Sequence, residues 1–202
     1  MLGNGYLYFK IFIGLAVALF FAACQSDCCK VEGTVALHDG ATLLITPCVA
    51  DSTLTGDAEQ TPPTDTVTVT DGRFLWQTVV DTARLYRIWP SHAPQHYASF
   101  FAERGTISIS IDSTAIRISG TPLNDQWQAL NDTVADYAQR IDRTVRTLIA
   151  AGTPPSIVSR RVSLLYEEIE KLIASTAIRN KDNELGRHLA SYSFSAIDNK
   201  SR

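Results

Sequence analysis

The stretch IRISGTPLNDQW, residues 116–127, divides the chain into two parts with different hydrophobic periods. Up to Gly120 apolar residues recur at every second position, which is typical of strands with one buried face. After Gly120 they recur at spacings of three and four, which is typical of an amphipathic helix, and Thr121 and Pro122 suit its first positions. The sequence therefore predicts a β domain over residues 30–120 and a helical region over residues 121–202.

Eight segments with strand character precede Gly120 and are separated by turn signals. They cover residues 30–37, 41–48, 64–70, 73–80, 83–90, 97–103, 105–112 and 114–120. The pairs Asp39-Gly40 and Asp71-Gly72 are typical of hairpin turns, so we expect the first strand to pair with the second and the third with the fourth. Together these strands predict an antiparallel β-sandwich, with an open barrel as the alternative. The polar stretch 51–63 is typical of a long exposed loop.

Two apolar stripes follow Gly120. The first comprises Leu123, Trp127, Leu130, Val134, Tyr137, Ile141, Val145 and Leu148, and the second comprises Val158, Val162, Leu165, Ile169, Leu172 and Thr176. Residues 151–155, AGTPP, interrupt them, so we expect two long helices in an antiparallel hairpin. In that hairpin Leu130 and Ile141 should be buried, facing Leu165 and Ile169. A short third helix is expected over residues 183–194.

The amino-terminal end has the features of a bacterial lipoprotein signal. Residues 11–23 are apolar, a run too short for a membrane span of about 20 residues but suited to a signal-peptide core. Ala22 and Ala23 supply the small residues that lipoprotein processing needs before Cys24, whereas ordinary cleavage there would place Phe21 at a position that prefers a small residue. We expect a signal peptide over residues 1–23, lipidated Cys24, and a tether over residues 24–29. The protein would be lipid-anchored to a membrane of the cell envelope, on its periplasmic face or at the cell surface; plain secretion and an uncleaved anchor are the alternatives.

Composition gives no support for nucleic-acid binding or for catalysis. The formal net charge is −3 and both signs are interspersed, so no basic surface is implied. The sequence contains no CxxC pair, no nucleophile motif such as GxSxG and no glycine-rich phosphate loop. We therefore expect a protein that is not an enzyme and needs no cofactor.

Three cysteines remain if Cys24 is lipidated. Cys28 and Cys29 are neighbours, and their Cα atoms, about 3.8 Å apart, are too close for an unstrained disulfide. If the first two strands pair across their turn, Cys29 is a diagonal neighbour of Cys48, and Cys29–Cys48 is the only disulfide that this pattern favours. The alternative, in which all three thiols stay reduced, remains open at this point.

Two further sets of residues are candidate sites. His92 and His96 have the spacing of helical metal ligands, but two prolines nearby oppose a helix, so a surface loop without metal is expected. Trp76, Trp89 and Trp127 could form a stacking platform for sugars. Because Trp127 lies on the helical stripe, packing in the core or against the helices is the favoured interpretation.

Five segments, in order, resemble a known family: VEGTV, DTVTVTDGRFLW, ARLYRI, FFAERGTISISID and IRISGTPLNDQW. They are similar to successive signatures of domain of unknown function 4369, over about residues 31–127. DGRF at residues 71–74 and GTPLND at residues 120–125 are the most specific pieces. The resemblance implies a Bacteroidetes-type lipoprotein, since this domain commonly lies between a lipidated cysteine and a thioredoxin-like domain of the TlpA/ResA kind. The absence of CxxC from this sequence means that oxidoreductase activity is not implied.

These observations predict a lipid-anchored envelope protein that acts as a non-catalytic binding or interaction module. Its expected partners are the membrane, through the lipid, and another envelope protein. One alternative is an accessory or truncated half of a thiol–disulfide oxidoreductase system. Another is a surface lipoprotein that binds glycans.

Overall fold

The computed structural model of the protein describes residues 27–48, 63–112 and 115–191. Within these ranges the chain forms eight strands, two long helices and a short third helix. The strands are β1 (Cys28–Val35), β2 (Thr42–Pro47), β3 (Asp65–Thr68), β4 (Arg73–Val79), β5 (Arg84–Pro90), β6 (Ala98–Ala102), β7 (Gly105–Ile111) and β8 (Ile116–Ser119). The helices are α1 (Pro122–Ala150), α2 (Pro155–Arg179) and α3 (residues 184–191). The predicted mixed fold, with eight strands before Gly120 and helices after it, is confirmed.

The strands form two four-stranded sheets that enclose a hydrophobic core. The first sheet has the order β4-β1-β7-β8 and the second the order β3-β2-β5-β6. All neighbouring strands are antiparallel except β1 and β7, which are parallel. Alternate residues of each strand face inward, as the period of two requires. The largest fully buried side chains of this core are Phe100, Leu43, Ile45, Ile88, Ile107 and Ile109.

The two hairpins predicted from the Asp-Gly turns do not form, so that prediction is wrong. β1 pairs with β4 and β7, whereas β2 pairs with β3 and β5, so the turn at Asp39-Gly40 carries the chain from one sheet to the other. The turn at Asp71-Gly72 has the expected geometry, with φ values of 50° and 66°. However, only Thr70 and Arg73 are bridged across it, after which β3 and β4 enter different sheets. Turn residues determine a local reversal of the chain. Pairing with strands that are distant in sequence determines which sheet each strand beside the turn joins.

β1 begins at Cys28, two residues before the expected strand, so Cys28 and Cys29 belong to the sheet and not to the tether. The expected signal peptide, Cys24, nearly all of the 51–63 loop and the end of the expected third helix lie outside the described residues. No helix in the described ranges is both long and apolar enough to cross a membrane.

α1 lies along the edge strands β8 and β6 and forms hydrogen bonds with backbone groups of both. The Gln128 side-chain oxygen accepts from the Ile118 N–H at 2.8 Å, and Trp127 Nε1 donates to the Ser99 carbonyl oxygen at 2.9 Å. The helices also pack on the outer face of the second sheet. This contact forms a second hydrophobic core, which comprises Leu85, Phe101, Leu123, Leu130, Leu185 and Leu189.

The direction of α1 follows from its contacts with β8. Ile118 is bonded to Gln128, and Arg117 forms an ion pair with Asp132 at 2.9 Å, so the helix runs antiparallel to β8. It thus starts at the end of the sandwich where β1 begins and runs toward the opposite end. Its 29 residues span about 43 Å, whereas the seven residues of β7 span about 23 Å. The tip of the helical hairpin therefore projects beyond the sandwich.

Candidate interaction surface on the helical hairpin

The hairpin buries its apolar stripes only in part. Every residue of the two predicted stripes is buried or half-buried, which confirms the helical periodicity. However, no residue from 131 to 175 is fully buried. We call these residues the arm. The expectation that Ile141 is inside and faces a buried Leu165 and Ile169 therefore needs correction: all three are half-buried, because each helix of the arm has only the other to pack against.

Large apolar side chains are exposed on the arm. Ile149 is 64% exposed, Ile157 is 49% exposed and Leu164 is 46% exposed. The first two flank the turn at the tip, and the third lies two helical turns below it on α2. Apolar side chains that are clustered and exposed are typical of surfaces that bind another macromolecule.

The tip of the arm is basic although the whole chain is acidic. Residues 138–161 contain five arginines and one aspartate, while the chain has a net charge of −3. Arg146 binds Asp142 at 2.9 Å. Arg143, Arg160 and Arg161 are exposed and have no ion pair in the described part of the chain. The potential at the tip is therefore positive and favours an acidic partner.

A groove of 510 Å³ runs between the two helices near the tip. Leu148, Leu164 and Leu165 supply its apolar lining, and Arg143 and Arg161 are among its charged lining residues. Glu168 also lines the groove and lies 4.0 Å from Arg140, so the unpaired charges beside the apolar residues are those of Arg143 and Arg161. An amphipathic segment that carries acidic residues would complement them. The tip of the arm thus has a groove, exposed apolar side chains and an excess of positive charge.

The base of the arm is fixed by polar groups that sequence reasoning missed. One carboxylate oxygen of Glu103, just after β6, accepts from the N–H groups of Leu123 and Asn124 at 2.8 and 3.3 Å. This satisfies two first-turn donors and places a negative charge at the positive end of the helix dipole. Asn124 is fully buried: its Oδ1 accepts from the Phe101 N–H at 2.9 Å, and its Nδ2 donates to the Phe101 oxygen at 2.7 Å and to Thr121 Oγ1 at 2.8 Å. The segment GTPLND carried the only sequence signal for this junction.

The cysteines of the described residues do not form a reactive centre. Cys28, Cys29 and Cys48 are all free thiols, and Cys29 is fully buried. Burial raises the pKa of Cys29 to about 11 and also raises the pKa of Cys48. Because the thiolate is the nucleophile, burial makes both thiols less reactive. The register that favoured a Cys29–Cys48 disulfide does not exist, since β1 and β2 lie in different sheets, so this disulfide stays a prediction without its geometric basis.

The remaining residues singled out from the sequence fall in separate places. His92 and His96 lie exposed in the turn between β5 and β6. Trp76 is buried and its Nε1 donates to Asp65 at 2.8 Å, while Trp127 packs against the second core. These two rings serve packing and do not form a sugar platform. In the part of the chain that the structure describes, no group of three His, Cys, Asp or Glu side chains could hold a metal ion.

The structure defines a class of protein: an eight-stranded β-sandwich with a helical hairpin that lies along two of its edge strands, β6 and β8, and projects beyond the sandwich. The family model described as Domain of unknown function (DUF4369) matches residues 29–127, from β1 to the second turn of α1, so these residues form a domain of that family. No curated protein and no solved structure shows significant similarity to the chain. The match ends at Trp127, before the arm begins at residue 131, so the arm lies outside the matched region.

Proposed function

We propose that the chain is a non-catalytic interaction module that is lipid-anchored in the cell envelope and presents its arm to an acidic protein partner. The observation that carries the proposal is the arm itself. Two amphipathic helices extend beyond the sandwich, and no residue from 131 to 175 is fully buried. A partner that covers the exposed apolar side chains of the arm would bury them, and acidic residues on that partner would neutralise the unpaired arginines.

The position of the expected anchor supports this role. Cys24 lies three residues before Asp27, where the described chain begins at the start of β1. α1 carries the arm from that end of the sandwich toward the opposite end. A lipid on Cys24 would therefore hold one end of the molecule while the tip of the arm stays accessible.

The alternatives receive less support from the described residues. Thiol–disulfide exchange needs a cysteine with a lowered pKa, whereas burial raises the pKa of both Cys29 and Cys48. Glycan binding through tryptophans would leave only Trp89, which is half-buried, because Trp76 and Trp127 are committed to packing. The arm remains the surface with the most evidence for binding.

Photo-cross-linking tests the arm in its native setting. A photoreactive residue replaces Ile157 in the full-length chain, in cells that make it naturally, and a matched control replaces exposed Ser91 on the sandwich. We expect one discrete protein adduct from position 157 and none from position 91. Reversing two unpaired charges, with Arg160→Glu and Arg161→Glu, should remove the adduct without changing the melting temperature. Equal adducts from both positions, or none from position 157, would contradict the proposal.

The anchor is tested separately with Cys24→Ala. We expect this variant to leave the membrane fraction or to accumulate as an uncut precursor, because lipid attachment supplies the membrane affinity. Unchanged processing together with unchanged membrane association would show that Cys24 is not the anchor.

A further inference from the structure

A row of exposed side chains follows the outer face of α2. Its members are spaced by seven residues, which is nearly two helical turns, so they lie almost one above another. They are Ile157, Leu164, Lys171 and Ile178. Leu164 is 46% exposed and Ile178 is 71% exposed. We call these residues the outer row. Apolar side chains that recur every seven residues are the pattern by which one helix pairs with another.

The outer row faces away from the rest of the chain. Successive residues of a helix are turned by about 100°, so Ile173, nine residues after Leu164, points to the opposite side of α2. Ile173 and Ala177 pack against the second hydrophobic core. Leu164 lies about 22 Å along the helix from Arg179, toward the tip of the arm. Another helix can therefore lie along the row without meeting the sandwich.

Charged side chains flank the outer row in a definite order. Arg160 and Arg161 lie on its two sides toward the tip, and Glu167 and Glu168 lie on its two sides toward the base. Each glutamate follows an arginine by seven residues, so it stands on the same side of the row. All four are exposed. In the described part of the chain, the only ion pair among them joins Glu168 to Arg140, at 4.0 Å. The row therefore has a basic half and an acidic half.

We propose that the partner of the arm is a second copy of this chain, whose α2 packs antiparallel on the outer row about a two-fold axis at Leu164. This inference rests on the proposed function and names its partner. Leu164 then meets Leu164 of the partner subunit. Ile157 lies level with the aliphatic stem of the partner subunit's Lys171. The contact is self-complementary, because the same row serves both copies.

Charge favours the antiparallel direction. About that axis Arg160 lies within about 1.5 Å, measured along the helix, of the partner subunit's Glu167 and on the same side of the contact. Arg161 meets the partner subunit's Glu168 in the same way on the other side, and the symmetry doubles both pairs. Parallel packing would instead place Arg160 beside Arg160 of the partner subunit, and like charges repel. The acidic residues that the basic tip calls for are therefore present on the arm of a second copy.

The sandwiches and the expected anchors are compatible with this contact. Each sandwich lies on the side of its own α2 that faces away from the other copy. A two-fold axis perpendicular to the bilayer keeps both Cys24 residues at one height, so one membrane can hold both copies. Residues 157–171 span only about 21 Å. A contact this short is weak, so we expect it to form where membrane anchoring concentrates the copies and to separate in dilute solution.

Oxidative cross-linking of the full-length chain in its native membranes tests the position of the axis. Leu164→Cys faces its own copy across the contact, so we expect oxidation to give a product of twice the chain mass. Ser159→Cys is the matched control, because position 159 is exposed on the same helix and points about 140° away from Leu164. The unaltered chain, which keeps its other thiols, supplies the baseline. No double-mass product from Leu164→Cys, or an equal product from Ser159→Cys, would overturn the proposal.

Exchange of the flanking charges distinguishes a second copy from any other acidic protein. One variant carries Arg160→Glu and Arg161→Glu, and the other carries Glu167→Arg and Glu168→Arg, each together with Leu164→Cys. Either variant alone places like charges opposite one another, so we expect the double-mass product to be lost. The two variants made together, with different tags, place opposite charges at all four positions, so a mixed product should return. If both variants keep the melting temperature of the unaltered chain and the mixture gives no product, the proposed pairing is wrong.

The photoreactive residue at position 157 separates this inference from the proposed function. An adduct of twice the chain mass supports both. An adduct with a different protein leaves the proposed function standing and overturns the pairing with a second copy. The lack of any adduct contradicts both.

Discussion

Replacing Asn124 with Ala should detach the base of the arm from the sandwich. The Asn124 side chain is fully buried between α1 and β6 and bonds both the N–H and the carbonyl oxygen of Phe101. It also donates to Thr121 Oγ1. Alanine makes none of these contacts, so the substitution leaves two buried backbone groups of an edge strand without partners.

The magnitude follows from those two groups. An unpaired buried donor or acceptor costs about 1–3 kcal/mol, so the loss of both partners of Phe101 should lower the free energy of unfolding by about 2–6 kcal/mol. A domain of this size is stable by only about 5–15 kcal/mol in total. The substitution should therefore remove a large fraction of the stability.

Urea denaturation of the mature chain measures this change. Asn131→Ala is the matched control, because it makes the same substitution on the same helix at an exposed position. We expect the control to lie within about 0.5 kcal/mol of the unaltered chain. If Asn124→Ala is as mild as Asn131→Ala, the hydrogen bonds to Phe101 do not fix the arm, and the argument for the junction fails.

Further predictions concern the second core, the protonation of His188 and the thiols. Leu130→Ala should lower the free energy of unfolding by about 2–5 kcal/mol, because Leu130 is buried. Leu165→Ala should cost less, because Leu165 is half-buried on the arm; equal costs would show that the arm is packed as tightly as its base. Burial lowers the pKa of His188 below its ordinary value of 6.5, although the carboxylate of Glu184 opposes this shift. The unfolded chain therefore binds the proton at His188 more tightly than the folded chain does. The contribution of His188 to stability is fully present above about pH 6.5 and is lost as the pH drops through its folded-state pKa. A melting temperature that rises on acidification, relative to a His188→Leu control, would contradict this sign. Maleimide should label Cys28 before Cys29, because Cys29 is fully buried and its pKa is raised to about 11, and mass spectrometry of the peptides would reveal the reverse order.

The local structure could be predicted from the sequence, but the pairing of strands could not. Alternation with a period of two is a property of each segment, so all eight strands were located correctly. The Asp71-Gly72 turn was also correct, yet β3 and β4 lie in different sheets. β1 lies between β4 and β7, partners that are distant in sequence, and no local signal indicates them.

The arm shows a similar limit. The apolar stripes predicted which face of each helix is less exposed, and that was correct along the whole hairpin. They did not predict that Ile141 and Leu165 would be only half-buried, because a stripe shows which face packs and not how much surface its neighbour covers. The buried Asn124 was missed for a related reason, since its role depends on the backbone of Phe101, 23 residues earlier.

The most direct test of the proposed role asks whether the arm is covered in the envelope and open in isolation. Leu164→Cys places a thiol in the groove of the arm, and Ser91→Cys places one on the sandwich loop as a control. If a partner occupies the arm, maleimide labelling at position 164 should be much slower in intact envelopes than in the purified chain, while position 91 labels equally fast in both. Equal rates at position 164 in the two preparations would contradict the account, because the arm would then have no partner to cover it.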